Sequence, residues 1–176
     1  MRIEVNDTAA IIIDYQEKLI PAMNEKRELL ENSRTLIQGL NVLEVPMTVT
    51  QQYTKGLGGT PDCLMEAAGL TEYKEKISFS AMDVIREEIQ GRKFVILCGI
   101  EAHICVLQTL IDLKAEGYIP VLVEDCISSR TEHNKRMAVE RAKQEGAVVT
   151  TYEALLFELL KEAGTETSKK IQRLIK

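Results

Sequence analysis

A chain of 176 residues, 45% hydrophobic and 28% charged, is long enough to bury one core without disulfides or metals and has the balance of an ordinary soluble globular domain. Its formal charge of −5, with signs mixed along the chain, argues against nucleic acid as a partner, because a phosphate path needs clustered Lys and Arg. The longest apolar runs are strand-sized, far short of the ~20 residues that a membrane span requires.

Ala9–Ile13 is the first apolar run, and Asp14 closes it. Leu29, Leu36, Leu40 and Leu43 then recur at helical spacing before a second strand candidate, Val45–Thr50. The loosest stretch follows, Thr54–Pro61 with three glycines and a proline, which reads equally as a substrate-covering loop or a surface turn. Met82, Ile85 and Ile89 predict a helix ahead of the strand Phe94–Cys98. Gly99 reads as a turn, Cys105 sits where the next helix begins, and Leu107, Leu110 and Ile111 continue that helix. Ile119–Val123 and Ala147–Thr150 complete the strand candidates, with Gly117, Gly146 and Gly164 at expected helix C-caps. Continuous apolar strands imply a sheet covered on both faces, hence a doubly wound α/β fold with a mostly parallel sheet. Residues 1–164 read as one domain, and residues 165–176, with the basic run Lys169–Lys176, as a polar tail or a short, solvated or frayed helix.

The four cysteines, Cys63, Cys98, Cys105 and Cys126, show no C-x-x-C spacing, and the two histidines, His103 and His133, lack neighbours at metal-binding spacing. No metal and no cofactor are therefore expected. The start of the chain carries no secretory pattern, and free thiols suit a reducing compartment, so the expected location is cytoplasmic.

Ligands of an open parallel sheet bind beyond the carboxyl ends of its strands. Cys105 lies in such a place, where a helix's first amides and dipole favour a thiolate. Read locally, it is either a nucleophile or a small buried hydrophobe. Asp14 taken alone is equally a cap or turn residue, and Lys76 taken alone a solvated lysine.

Three segments taken together narrow these alternatives. AIIIDYQEKL, KISFSAM and GIEAHICV, in that order, resemble the isochorismatase-like cysteine hydrolases, a superfamily that includes nicotinamidases and N-carbamoylsarcosine amidases. The likeness runs from about Thr8 to Leu160. It implies a Rossmann-like three-layer sandwich of about six strands, the sixth near Tyr73–Ile77. It further implies Cys105 as nucleophile, Asp14 as general base and Lys76 as the cation that holds both. An oxyanion hole from the amides of Ile104 and Cys105, and a cis peptide between Ile100 and Glu101, belong to the same expectation.

Gln16, Gln52, Tyr53, Phe79 and His103 are candidates to line a pocket, though core or surface roles serve each of them as well. Nicotinamidases carry an Asp-x-His-x-His metal site near the second strand. Here that region, Gln51–Thr60, holds neither histidine nor acid, which again predicts no metal. True isochorismatases generally lack the cysteine, so Cys105 argues against vinyl-ether cleavage. The function expected is metal-independent hydrolysis of a small amide through a thioester. An ester or carbamoyl substrate, or a scaffold that has kept the fold, is the alternative. A small-molecule substrate and a homo-oligomer are the expected partners, the latter through apolar helix faces such as Leu155, Leu156 and Leu159 unless these serve the core.

Overall fold

The computed structural model describes residues 1–176. The strands β1 (Thr8–Ile13), β2 (Met47–Gln52), β3 (Lys74–Lys76), β4 (Phe94–Ile100), β5 (Ile119–Ser128) and β6 (Val148–Thr150) form one sheet in the order β3-β2-β1-β4-β5-β6. Every pairing in it is parallel. The helices are α1 (Lys26–Val42), α2 (Thr54–Leu57), α3 (Asp62–Ala68), α4 (Met82–Ile85), α5 (Leu107–Ala115), α6 (Glu132–Gln144), α7 (Tyr152–Leu160) and α8 (Glu166–Ile175).

The central strands β1 and β4 are buried at every position, as strands covered on both faces must be. Their side chains alternate between two cores. Ala10, Ile12, Phe94, Ile96 and Cys98 pack with residues of α1, α3, α7 and α8. Ala9, Ile11, Ile13, Val95 and Leu97 pack with residues of α4, α5 and α6. The sheet is thus sandwiched between two helical layers, and its order reverses between β1 and β4. That crevice is where doubly wound sheets bind ligands.

Several boundaries differ from the periodicity reading. β4 runs through Gly99 to Ile100, because the glycine lets two backbones approach rather than turning the chain. Gly99 has φ +143°, and a Cβ there would lie 2.2 Å from the carbonyl oxygen of Ile13. β5 continues past its apolar run through Glu124 and Asp125 to Ser128, with a register shift against β4 between Leu97 and Gly99. The C-cap expected at Gly164 falls instead at Lys161, itself left-handed at φ +67°. Leu155, Leu156 and Leu159 are buried in the core, so they offer no face to a second copy. Residues 165–176 are not a frayed tail: Thr165 caps α8 by accepting the amide of Ser168, and Ile171 is buried against the same core as β1.

Candidate active site

Three strand ends bring distant residues to one rim. Asp14 follows β1, Lys76 ends β3, and Cys105 follows β4 in a π-helical turn, Ala102–Val106, that leads into α5. The register sets Ile13 beside both Thr50 and Gly99, so the carboxyl end of β1 sits between β2 and β4. Asp14 takes up a left-handed backbone at φ +52°, sparsely populated for residues other than glycine.

Asp14 and Lys76 are an ion pair removed from water. Lys76 Nζ lies 2.7 Å from Asp14 Oδ2, with the two side chains 1% and 0% exposed. Burying such charges costs several kcal/mol per ion unless their remaining valences are met. On Asp14, Oδ1 accepts the Thr50 hydroxyl at 2.8 Å. Lys76 donates to Gln52 Oε1 at 2.7 Å, to the Phe79 carbonyl at 2.8 Å and to the Ser78 carbonyl at 3.2 Å. Asp14 Oδ2 therefore feels the ammonium's charge, yet no donor is aligned on it.

Cys105 is 6% exposed. Burial pushes its thiol up to about 12; the Asp14 carboxylate adds to the rise, and the Lys76 ammonium opposes it. Burial thus acts against the thiolate that a helix start favours. Desolvation outweighs the ammonium's charge, so the resting group is a thiol beside a carboxylate that can take its proton. The backbone around it is tied down: Thr109 donates to the Cys105 carbonyl at 2.7 Å and accepts the amide of Ala81 at 2.9 Å. That link joins the cysteine's turn to the segment that follows Lys76.

The Ile100–Glu101 peptide is cis. The Glu101 carbonyl accepts the amides of Ile104 at 3.0 Å and Val106 at 3.3 Å, so Ile104 is not an uncommitted donor for an oxyanion in this state. The Glu101 carboxylate accepts the backbone amide and Nε of Arg130, both at 3.1 Å.

The remaining candidates separate by what they touch. Gln16 is buried and spends its amide on the Gln52 backbone and the Gly58 carbonyl; it is a clamp and not a pocket wall. Gln52 joins the site through Lys76. His103 pairs its Nδ1 with Ser129 Oγ at 2.9 Å. Tyr53 and Phe79 lie on the outer rim, 51% and 54% exposed. Thr50 and Thr109 went unnoticed in the sequence. A threonine in the last apolar position of a buried strand, beside the carboxylate that ends its neighbour, is the one signal that pointed to Thr50.

Two surface clefts of about 610 and 640 Å³ lie at Met1, Phe157 and Lys161 and along Met23–Glu31, away from the trio. No group of three or more His, Cys, Asp or Glu is placed to hold a metal ion. At the end of β2, Gln51 bonds Thr60 and Gln52 bonds Lys76. No helix is long and apolar enough to cross a membrane.

Residues 8–154 match the family model described as the isochorismatase domain. A protein of Phytophthora sojae, named a secreted isochorismatase effector, is 35% identical over 99% of this chain and 87% of its own length. A Caenorhabditis elegans structure, described as MAR1 ribonuclease, superposes with TM-score 0.94 at 36% identity, over 99% of this chain and 92% of that one. The YcaC product of Escherichia coli, described as an octameric hydrolase of unknown specificity, shares the fold at TM-score 0.85 and 22% identity, over 92% of this chain and 83% of that one. By its family match over most of its length, the chain belongs to the isochorismatase domain family of hydrolases.

Proposed function

We propose that the chain is a metal-independent cysteine hydrolase that cleaves the C–N bond of a small amide. The observation that carries this reading is the buried Asp14–Lys76 pair, 2.7 Å apart, both of whose charges act on the Cys105 thiol. Attack begins as the thiol proton passes to Asp14 Oδ2 and sulfur bonds the substrate's carbonyl carbon. The resulting oxyanion rests against the amide of Cys105, with that of Ile104 shared away from Glu101. Its collapse breaks the C–N bond, and the proton on Asp14 leaves with the amine. Water then attacks the thioester, returning one proton to Asp14 and from there to sulfur as the acid departs. Lys76 holds the carboxylate in place between these steps, paired with it by charge at 2.7 Å. An ester or carbamoyl carbonyl fits the same steps.

A panel of small amides, quenched rapidly and analysed by intact mass, tests this. A hydroxylamine-sensitive acyl adduct on Cys105, absent in Cys105→Ala, is the expected result. Turnover that survives Cys105→Ala overturns it and leaves a scaffold that has kept the fold.

A second reading has one observation in its favour, the 36% identity to a structure described as a ribonuclease. Phosphodiester cleavage calls for groups that neutralise a phosphate at the nucleophile. Lys76 is the cation paired there, and its three hydrogens are already committed. RNA cleavage that is lost in both Cys105→Ala and Asp14→Asn would favour that reading over the amide. A homo-oligomer is supported by the octamer reported for the YcaC fold relative and by exposed Tyr53, Ile77 and Phe79 beside the site. A cytoplasmic location rests on the unpaired thiols.

A further inference from the structure

We propose that Gln52 is a positioning residue that makes Asp14 a usable base, by drawing a hydrogen of Lys76 away from Asp14 Oδ2. The inference rests on the cysteine-hydrolase reading and deepens it.

A lysine ammonium has three hydrogens. Beside a carboxylate oxygen at 2.7 Å, one of them would ordinarily form a charge-assisted bond to it. Here all three are taken elsewhere, by Gln52 Oε1 and the carbonyls of Phe79 and Ser78, and Oδ2 is left without a donor. The two carbonyls come with the chain, because the turn Ser78–Phe79 wraps the lysine's end. Gln52 is the only side chain among the three acceptors, and it is itself held at several points. Its Nε2 donates to the Ile77 carbonyl at 2.6 Å. Its backbone amide donates to Gln16 Oε1 at 2.7 Å, and its carbonyl accepts from Gln16 Nε2 at 3.0 Å. Gln16 in turn donates to the Gly58 carbonyl at 2.7 Å, which ties this chain of amides to the glycine-rich loop.

The chemical consequence follows from what hydrogen bonds do to a base. A bond donated to a carboxylate favours its ionised form and lowers its appetite for a proton. An oxygen given the charge of Lys76 without its hydrogen keeps an open lone pair for the thiol proton. Remove the Gln52 acceptor, and the buried ammonium turns its freed hydrogen to the nearest oxygen, Asp14 Oδ2. The base is then occupied by its own counter-ion.

The test uses iodoacetamide alkylation of Cys105 followed against pH, read by mass spectrometry at each cysteine. The charges acting on the thiol are those of Asp14 and Lys76. Internal transfer to Asp14 predicts a pH-independent plateau between about pH 6 and about pH 8, followed by an alkaline rise as the thiol itself ionises. Gln52→Met, similar in length but without an acceptor, is expected to lower the plateau about tenfold while leaving the alkaline rise in place. Gln52→Glu, which keeps an oxygen against Lys76, is expected to hold the plateau within about threefold. Cys98 and Cys126, both buried, report folding: they stay unlabelled in every variant that folds. A wild-type plateau unchanged in Gln52→Met overturns the positioning role and leaves the hydrolase reading standing. Equal loss in Gln52→Met and Gln52→Glu reduces Gln52 to a packing role and overturns it too. A wild type with no plateau removes the reading on which the inference rests.

Discussion

Lys76 and Asp14 are paired by charge at 2.7 Å without an aligned hydrogen bond between them. The ammonium's hydrogens go to Gln52 and to two carbonyls of the turn after β3, and the carboxylate's other oxygen goes to Thr50. The pair is accordingly stable as a unit and vulnerable in its parts.

Lys76→Met leaves a buried carboxylate supported by one hydroxyl, and is expected to cost about 3–5 kcal/mol in urea unfolding. Asp14→Asn leaves the ammonium its three acceptors and is expected to cost less, about 1–3 kcal/mol. The double variant is expected to be more stable than Lys76→Met alone, because it removes the orphaned charge. A double variant that is merely the sum of the singles would deny the coupling.

Gly99 is where β4 comes close enough to β1 to set Asp14 and Cys105 at one crevice. With a Cβ placed 2.2 Å from the Ile13 carbonyl oxygen, Gly99→Ala must push the strands apart. A loss on the order of 3 kcal/mol or more is expected, together with faster labelling of the neighbouring Cys98. An unchanged denaturation midpoint would show that the strands adjust freely.

Alkaline pH should weaken the fold through its buried thiols. Burial raises Cys98 to about 12 and Cys105 to about 12, against about 8.5 in an unfolded chain. Above that lower value the unfolded state has lost a proton that the native state keeps, so unfolding stability falls as pH rises. The contribution of each thiol is intact below about pH 8.5 and is lost at about 1.4 kcal/mol per pH unit until the native pKa is reached. Thermal unfolding between pH 8 and pH 11 is expected to move down in the wild type, and less steeply in Cys98→Ala. Parallel slopes would place the alkaline sensitivity elsewhere.

Exposed Tyr53, Ile77 and Phe79 beside the site predict self-association through this rim. Light scattering is expected to return a multiple of the monomer mass, and Ile77→Asp with Phe79→Asp to return the monomer. A wild type that is monomeric at all concentrations would contradict it.

The layers of the fold were legible because β1 and β4 are buried on both faces and so read as unbroken apolar runs. Boundaries were less so, wherever a polar or small residue serves a distant partner. Gly99 looked like a turn because the Ile13 carbonyl that demands it comes from a strand far away in sequence. The strand read as Ile119–Val123 runs on to Ser128, and Asp125 within it accepts the amide of Tyr152 at 2.9 Å. At the site, strand ends and motif order pointed to Asp14, Lys76 and Cys105. The work of Gln16, Gln52 and Thr50 lay hidden in pairings 24 to 36 residues apart. The burial that raises the Cys105 thiol depends on packing, which no local pattern displays.

The most direct measurement of the central claim is the pH profile of Cys105 alkylation in the wild type against Asp14→Asn. If Asp14 is the proton acceptor of a buried thiol, the wild type shows a plateau near neutral pH. Asp14→Asn then loses that plateau, and its alkaline rise moves to lower pH because a repelling charge has gone. Superimposable profiles would mean that Asp14 does not act on Cys105, and the hydrolase mechanism built on the pair would fall.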